Sequence, residues 1–122
     1  MIQQPPAVVP VTIADNAAVS GAFRMHEFIV GIITVPATWV AANMGFQVCD
    51  TEDGTYSILR EDATDQPVQI QNMSTSAVRS YRMPAAVMAA LWVKLWSKSA
   101  TAATETDVNQ TGGPLSITVM LK

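Results

Sequence analysis

Histidine and cysteine are nearly missing from this chain: His26 and Cys49 stand alone among 122 residues. A single cysteine excludes an intramolecular disulfide, and with it the stapled scaffolds of small secreted modules. One histidine and one cysteine leave no zinc-ligand spacing. A catalytic thiolate at Cys49 would need a base, and no motif marks His26 as one. In the strand-like run Phe46-Gln47-Val48-Cys49 the thiol reads instead as a small buried hydrophobe. His26, close to Arg24 and Glu27, reads as a structural or surface residue.

Charge is scarce as well. Asp, Glu, Lys and Arg make up 14% of the chain, against about 25% in an ordinary soluble domain. Ten acids and seven bases give a net charge of −3. The bases form no run, which argues against a nucleic-acid module. Gly-x-Ser-x-Gly is absent. The glycine pair in Thr111-Gly112-Gly113-Pro114 ends in proline and precedes a strand, so it is no phosphate loop. The expectation is a protein without enzymatic activity, cofactor or metal. Low charge combined with 49% hydrophobic residues argues against a disordered chain. It also implies that something other than water covers part of the surface.

Phe28 to Cys49 is uncharged and long enough to cross a bilayer. It is rich in Val, Ile and Thr, and Pro36 and Gly45 divide it into strand-sized pieces, so no membrane span is expected. The start, Met1-Ile2-Gln3-Gln4-Pro5-Pro6, lacks the basic residues and apolar run of a signal peptide. A protein assembled in the cytoplasm is expected.

What is present is β patterning. Turn signals recur about every ten residues with β-branched residues between them, as in an all-β sandwich or barrel. Residues 1–10 read as an extended Gln- and Pro-rich arm, and 11–122 as one domain. Val8 to Ala14 alternates, and Pro10 places it at a sheet edge. Val30, Ile32 and Ile33 make the next long segment apolar on both faces, like a central strand. Pro36 to Ala42 suits a short helical turn. Met44 to Asp50 alternates cleanly, and Asp53-Gly54 predicts a tight hairpin returning through Thr55 to Glu61. Gln66 to Asn72 is a polar strand, Met73 to Ser80 a connection, and Met83 to Met88 a short helix or irregular crossing. Ala90 to Lys98 is the strongest strand signal, with Leu91, Val93 and Leu95 on one face and Trp92, Lys94, Trp96 and Lys98 on the other. A long loop over 99–113 leads into Leu115 to Lys122. The expected fold is an antiparallel β-sandwich or jelly roll of seven or eight strands with one or two short helical turns.

Two clusters bear on function. Asp50, Glu52, Asp53, Glu61, Asp62 and Asp65 gather six acids, but Gly54 falls where a calcium loop needs a ligand. A solvated hairpin tip and a polar loop account for them. As a pair of glycosidase carboxylates they lack an aromatic sugar platform nearby. Trp92 and Trp96 share a strand face with Lys94 and Lys98. Either a loop or second sheet covers the rings, with lysine stems packed over them, or the face is a protein interface, where Trp is enriched.

The chain resembles small structural proteins of tailed-bacteriophage virions. The resemblance runs through Val35-Pro36-Ala37-Thr38-Trp39, Ala41-Ala42-Asn43-Met44-Gly45-Phe46-Gln47-Val48 and Asp53-Gly54-Thr55-Tyr56. It continues in Leu91-Trp92-Val93-Lys94-Leu95-Trp96-Ser97, Val108-Asn109-Gln110 and the closing strand Leu115 to Leu121, spanning residues 13–122. It implies a decoration or cement protein, a dimer or trimer on the capsid exterior that binds the major capsid protein and ties neighbouring capsomers together. Pro5, Pro6, Val8, Trp39, Trp92, Lys94, Trp96, Val108 and Asn109 are the interface candidates that follow. No direct contact with nucleic acid or membrane is implied. A tail or fibre module that recognises a glycan or partner protein through Trp92 and Trp96 is the alternative.

Overall fold

The computed structural model describes residues 6–122. Nine strands form among them: β1 (Ala7–Ile13), β2 (Val19–Arg24), β3 (Gly31–Val35), β4 (Asn43–Cys49), β5 (Ser57–Ile58), β6 (Gln69–Ile70), β7 (Arg79–Arg82), β8 (Trp92–Lys98) and β9 (Leu115–Leu121). A single 3-10 turn, Ala85–Ala89, lies between β7 and β8. The first sheet runs β1-β9-β3-β7. The second runs β2-β8-β4-β5, with β6 added to β4.

The pairing is nested. With the two-residue β6 set aside, first meets last in β1–β9, second meets seventh in β2–β8, third meets sixth in β3–β7, and fourth meets fifth in β4–β5. A long antiparallel ribbon wrapped on itself pairs in this way. Contacts of β9 with β3 and of β8 with β4 then close it into two sheets. The all-β sandwich is therefore of the jelly-roll kind.

Alternation places the core. Val11, Ile13, Ile33, Val35, Ile117, Val119 and Leu121 point inward from the first sheet, and Phe23, Met44, Phe46, Val93 and Leu95 from the second. Trp39, Val68, Met83 and Val87 join the same cluster from the connections. β9 shows the pattern most plainly: Leu115, Ile117, Val119 and Leu121 are buried, Ser116 and Met120 exposed.

Several expectations need correction. Of the arm predicted over 1–10, residues 7–10 already belong to β1, paired in register from Ala7 with Leu121 to Ile13 with Leu115. β1 is an edge strand, as Pro10 requires, since proline has no N–H for a further neighbour. Residues 1–5 lie outside the described residues. Pro36 to Ala42 forms a turn closed by Trp39 N–H to the Pro36 carbonyl (3.3 Å), with no helix. The Asp53-Gly54 hairpin is wide: residues 50–56 separate β4 from β5, and the return strand is two residues long. Gly54 is needed there for space, because a Cβ would collide with Cys49 Sγ and Thr51 Oγ1. The connection expected over Met73 to Ser80 ends in a strand instead, since Arg79 and Ser80 open β7.

A bulge in β2 between Val19 and Ala22 breaks its register with β8. The Ser20 hydroxyl, itself buried, accepts the Leu95 N–H at 2.9 Å. A side chain thus satisfies a core amide at the point where the backbone ladder is interrupted.

Candidate interaction surface

The tryptophan face of β8 is largely covered by the chain itself. Trp96 is 1% exposed. Its ring lies on Gly45 of β4, where a Cβ would sit 2.5 Å from Trp96 Cε3. Its indole N–H donates to Asp107 Oδ1 at 2.7 Å. The segment after β8 folds back over it, pinned by Ser99 N–H to Thr106 O and Val108 N–H to Ser97 O (2.8 and 2.9 Å). Of the two readings of this face, coverage by a loop holds for Trp96, and the ring is no open platform for a sugar or partner.

Lys98 is the stronger departure from expectation. Read as an outward lysine, it is completely buried. Its ammonium donates toward Gln69 Oε1 (2.8 Å) and the carbonyls of Ser99 (2.9 Å), Thr101 (3.2 Å) and Ala102 (3.3 Å). Burial lowers its pKa from the usual 10.5, and the nearby Glu105 carboxylate opposes that shift. Gln69 also accepts from Asn43 Nδ2 at 3.0 Å and donates to the Ala102 carbonyl at 3.0 Å. Lys98, Gln69 and Asn43 together tie the loop to β4 and β6.

The other candidates scatter. Trp39 is buried in the core, its indole N–H donating to the Ala42 carbonyl at 3.1 Å. It contributes nothing to a surface. Trp92 is half-buried between Arg24 and Cys49. Lys94 lies 4.4 Å from the centre of the Tyr56 ring, a cation–π contact. Val108 packs half-buried on the core, and Asn109 is exposed, donating to Asn16 Oδ1 at 3.4 Å. Pro5 lies outside the described residues. Cys49 is half-buried rather than buried, with Sγ toward Asp50 and Thr51. His26 lies on the far side of β8 from it, its Nε2 3.7 Å from Glu27. Among the described residues, no three His, Cys, Asp or Glu side chains converge as a metal site.

Pro6 and Val8 are brought into something larger. On the outer face of the first sheet, register sets the side chains in rows across the strands. Val8 lies opposite Met120, Met120 opposite Ile32, and Ile32 opposite Arg82. Beyond that row, Val30 and Lys122 exchange backbone hydrogen bonds (3.0 and 3.1 Å), with Pro6 beside them. In the opposite direction the face turns polar, through Pro10, Thr118, Thr34 and Ser80 to Thr12 and Ser116. The apolar end is exposed: Val8 69%, Val30 47%, Ile32 43% and Met120 39%, with Ile29 at 78% next to them. Val8, Val30, Ile32 and Met120 floor a shallow depression of about 610 Å³ that also reaches Arg82 and Lys122. A second one, of about 500 Å³, continues past Arg82 to Met83, Pro84 and Met88.

Val30, Ile32 and Met120 escaped the sequence reading of the interface. The signal was there in the two-faced apolarity of Val30-Gly31-Ile32-Ile33, which was assigned to a strand covered on both sides. Among the described residues, one side only is covered.

No family model matches the chain, and no curated protein matches it. Among solved structures, the chain is similar to the SPBc2 prophage-derived protein YomS over 99% of its own length and 97% of that chain, with 12% sequence identity and a TM-score of 0.47.

Proposed function

We propose that this chain is a structural protein of a tailed-phage particle, which binds the outer surface of the capsid and holds neighbouring capsomers together. The observation that carries the reading is the exposed apolar end of the first sheet. A row of Val8, Met120 and Ile32 on rigid, paired strands is a preformed contact surface, and contiguous exposed apolar patches mark interaction sites. A cement protein requires apolar area with few charges to desolvate. The lattice repeats its site many times, so modest single contacts hold once copies are linked. The sequence resemblance to phage virion proteins points to the same partner, the major capsid protein.

The test is size-exclusion chromatography with light scattering on the purified chain, alone and mixed with particles of the phage that encodes it. Co-migration with heads, saturating at a fixed copy number per capsomer, is the expected result. A chain that ignores heads, or that binds only isolated tails, overturns the capsid assignment.

A further inference from the structure

The apolar rows have a charge signature. Arg82 ends the row Val8, Met120, Ile32, and Lys122 sits in the row with Val30. Neither takes part in an ion pair among the described residues, where the pairs join Arg24 and His26 to Glu27 and Arg60 to Glu105. No acidic residue lines either depression. The chain as a whole carries ten acids against seven bases, so this face runs against the net charge of its own protein.

We infer that the face docks a partner protein surface that is apolar at its centre and acidic at its margin. The inference rests on the capsid-binding reading above and names the chemistry that reading requires of the partner. The apolar row supplies the contact area. Arg82 and Lys122 then meet carboxylates, whereas an uncharged or basic partner would leave both cations desolvated without compensation.

A second copy of this chain is the poorer occupant. A two-fold contact places the same patch on both sides. It would bring Arg82 and Lys122 of one copy over a face that offers no acidic side chain in return. The chain's own acids cluster elsewhere, from Asp50 to Asp53 in the β4–β5 loop and from Glu61 to Asp65 before β6.

The experiment is co-sedimentation of the full-length chain with the same phage particles, titrated at low and high salt. Three double variants are compared with the wild type: R82E/K122E, I32D/M120D, and T12D/S116D at the polar end of the same face. All six positions are exposed or at the surface, and thermal melting of each variant checks that the fold is kept. Losing the apolar row in I32D/M120D should weaken binding by about thirtyfold or more. R82E/K122E should weaken it roughly tenfold at low salt, the difference shrinking toward high salt as screening sets in. T12D/S116D should bind as the wild type does.

If the wild type binds and R82E/K122E binds equally well or more tightly, the acidic-partner inference is overturned while the capsid reading stands. If the wild type ignores particles, the capsid reading falls and takes the inference with it. If I32D/M120D dissolves a self-associated form of the chain yet still binds particles, the face belongs to a second copy, and the inference is again overturned.

Discussion

Replacing Lys98 by Met tests whether one buried ammonium holds the loop that covers Trp96. Met keeps most of the stem volume and removes the charge. The ammonium has three hydrogens and four oxygens within 3.3 Å, on Gln69, Ser99, Thr101 and Ala102. Hydrogen bonds to charged groups contribute about 1.5–3 kcal/mol each. The desolvation of the buried ammonium, several kcal/mol in itself, works against that sum. Relief is also available after substitution. Gln69 Oε1 keeps the Asn43 donor, and the Thr101 carbonyl belongs to an exposed residue that can return to water. The net loss should be about 2–3 kcal/mol by urea denaturation, or roughly 10 °C in Tm for a domain of this size.

The loss should also be local. Hydrogen exchange at the Ser99 and Val108 amides, which bond to Thr106 and Ser97, should accelerate beyond the global change, and Trp96 fluorescence should shift to the red. The pH dependence has a definite sign. The folded pKa of Lys98 lies below the unfolded value of 10.5, so the unfolded chain binds more protons in the interval between them. Stability therefore rises with pH through that interval and levels off above 10.5; below the folded pKa both states carry the proton, and the ammonium's hydrogen bonds contribute there independently of pH. Tyr56 acts oppositely: its pKa is raised, first by burial and then by Cys49, Glu52 and Asp53, so its contribution fades as pH climbs above 10.0. Only the wild-type minus K98M difference isolates the lysine. A K98M protein within 0.5 kcal/mol of wild type, with unchanged exchange at Ser99 and Val108, would refute the reasoning.

Three further substitutions test other joints of the fold. Gly45→Ala drives a methyl into Trp96 Cε3. It should destabilise by about 1–3 kcal/mol through overpacking and alter the near-ultraviolet dichroism of the indole. Gln110→Leu removes the amide that accepts Val40 N–H (2.7 Å) and donates to Val40 O (3.1 Å) and Ser97 Oγ (2.9 Å). About 3 kcal/mol should be lost in denaturant melts, with the half-buried Val40 groups and the buried Ser97 hydroxyl left without this partner; a loss under 1 kcal/mol would mean that water replaces the amide. Ser20→Ala orphans the Leu95 N–H at the β2 bulge. A cost of about 1–3 kcal/mol is expected, with faster exchange of that amide as its signature.

The strands with strict alternation were legible. Leu115 to Leu121 and, in β8, Val93 and Leu95 were assigned to the right faces, because strict alternation commits one side to burial; Leu91, placed with them, lies before β8 and is exposed. Met44 and Phe46 of β4 point into the core as expected. The short strands were not legible. Arg79-Ser80-Tyr81-Arg82 carries no apolar alternation, since β7 is held by its ladder with β3 and by a Thr34–Ser80 hydroxyl contact of 2.8 Å rather than by burial. Nesting was invisible for a related reason: every defining pair except β4–β5 joins residues far apart in sequence. Trp96 and Lys98 were placed on the correct face, but their fate depended on whether residues 99–110 return across it. That return rests on hydrogen bonds from Lys98, Gln69 and Gln110, polar side chains that read as surface in a linear sequence.

The scarcity of charge that first suggested a covered surface has two physical origins, and they separate by sheet. Over the second sheet the cover is intramolecular: the segment after β8 shields Trp96, and β6 adds to β4 beside it. There the missing charges are accounted for by the chain's own packing, and one of its seven bases, Lys98, is spent inside. Over the apolar end of the first sheet nothing comparable returns among the described residues. Gly31 to Val35 and Leu115 to Leu121 present their second faces outward with Ile32 and Met120 still apolar. A strand that only had to fold would place Thr or Ser at those positions, as the same face does at Thr12, Ser116 and Thr118. Folding stability therefore does not explain the apolar side chains at Val8, Ile32 and Met120; the proposed partner surface would. On that argument, Ile32→Thr with Met120→Thr should leave the melting temperature within about 2–3 °C of wild type while abolishing particle binding. A large drop in Tm instead would show that these side chains serve the fold itself.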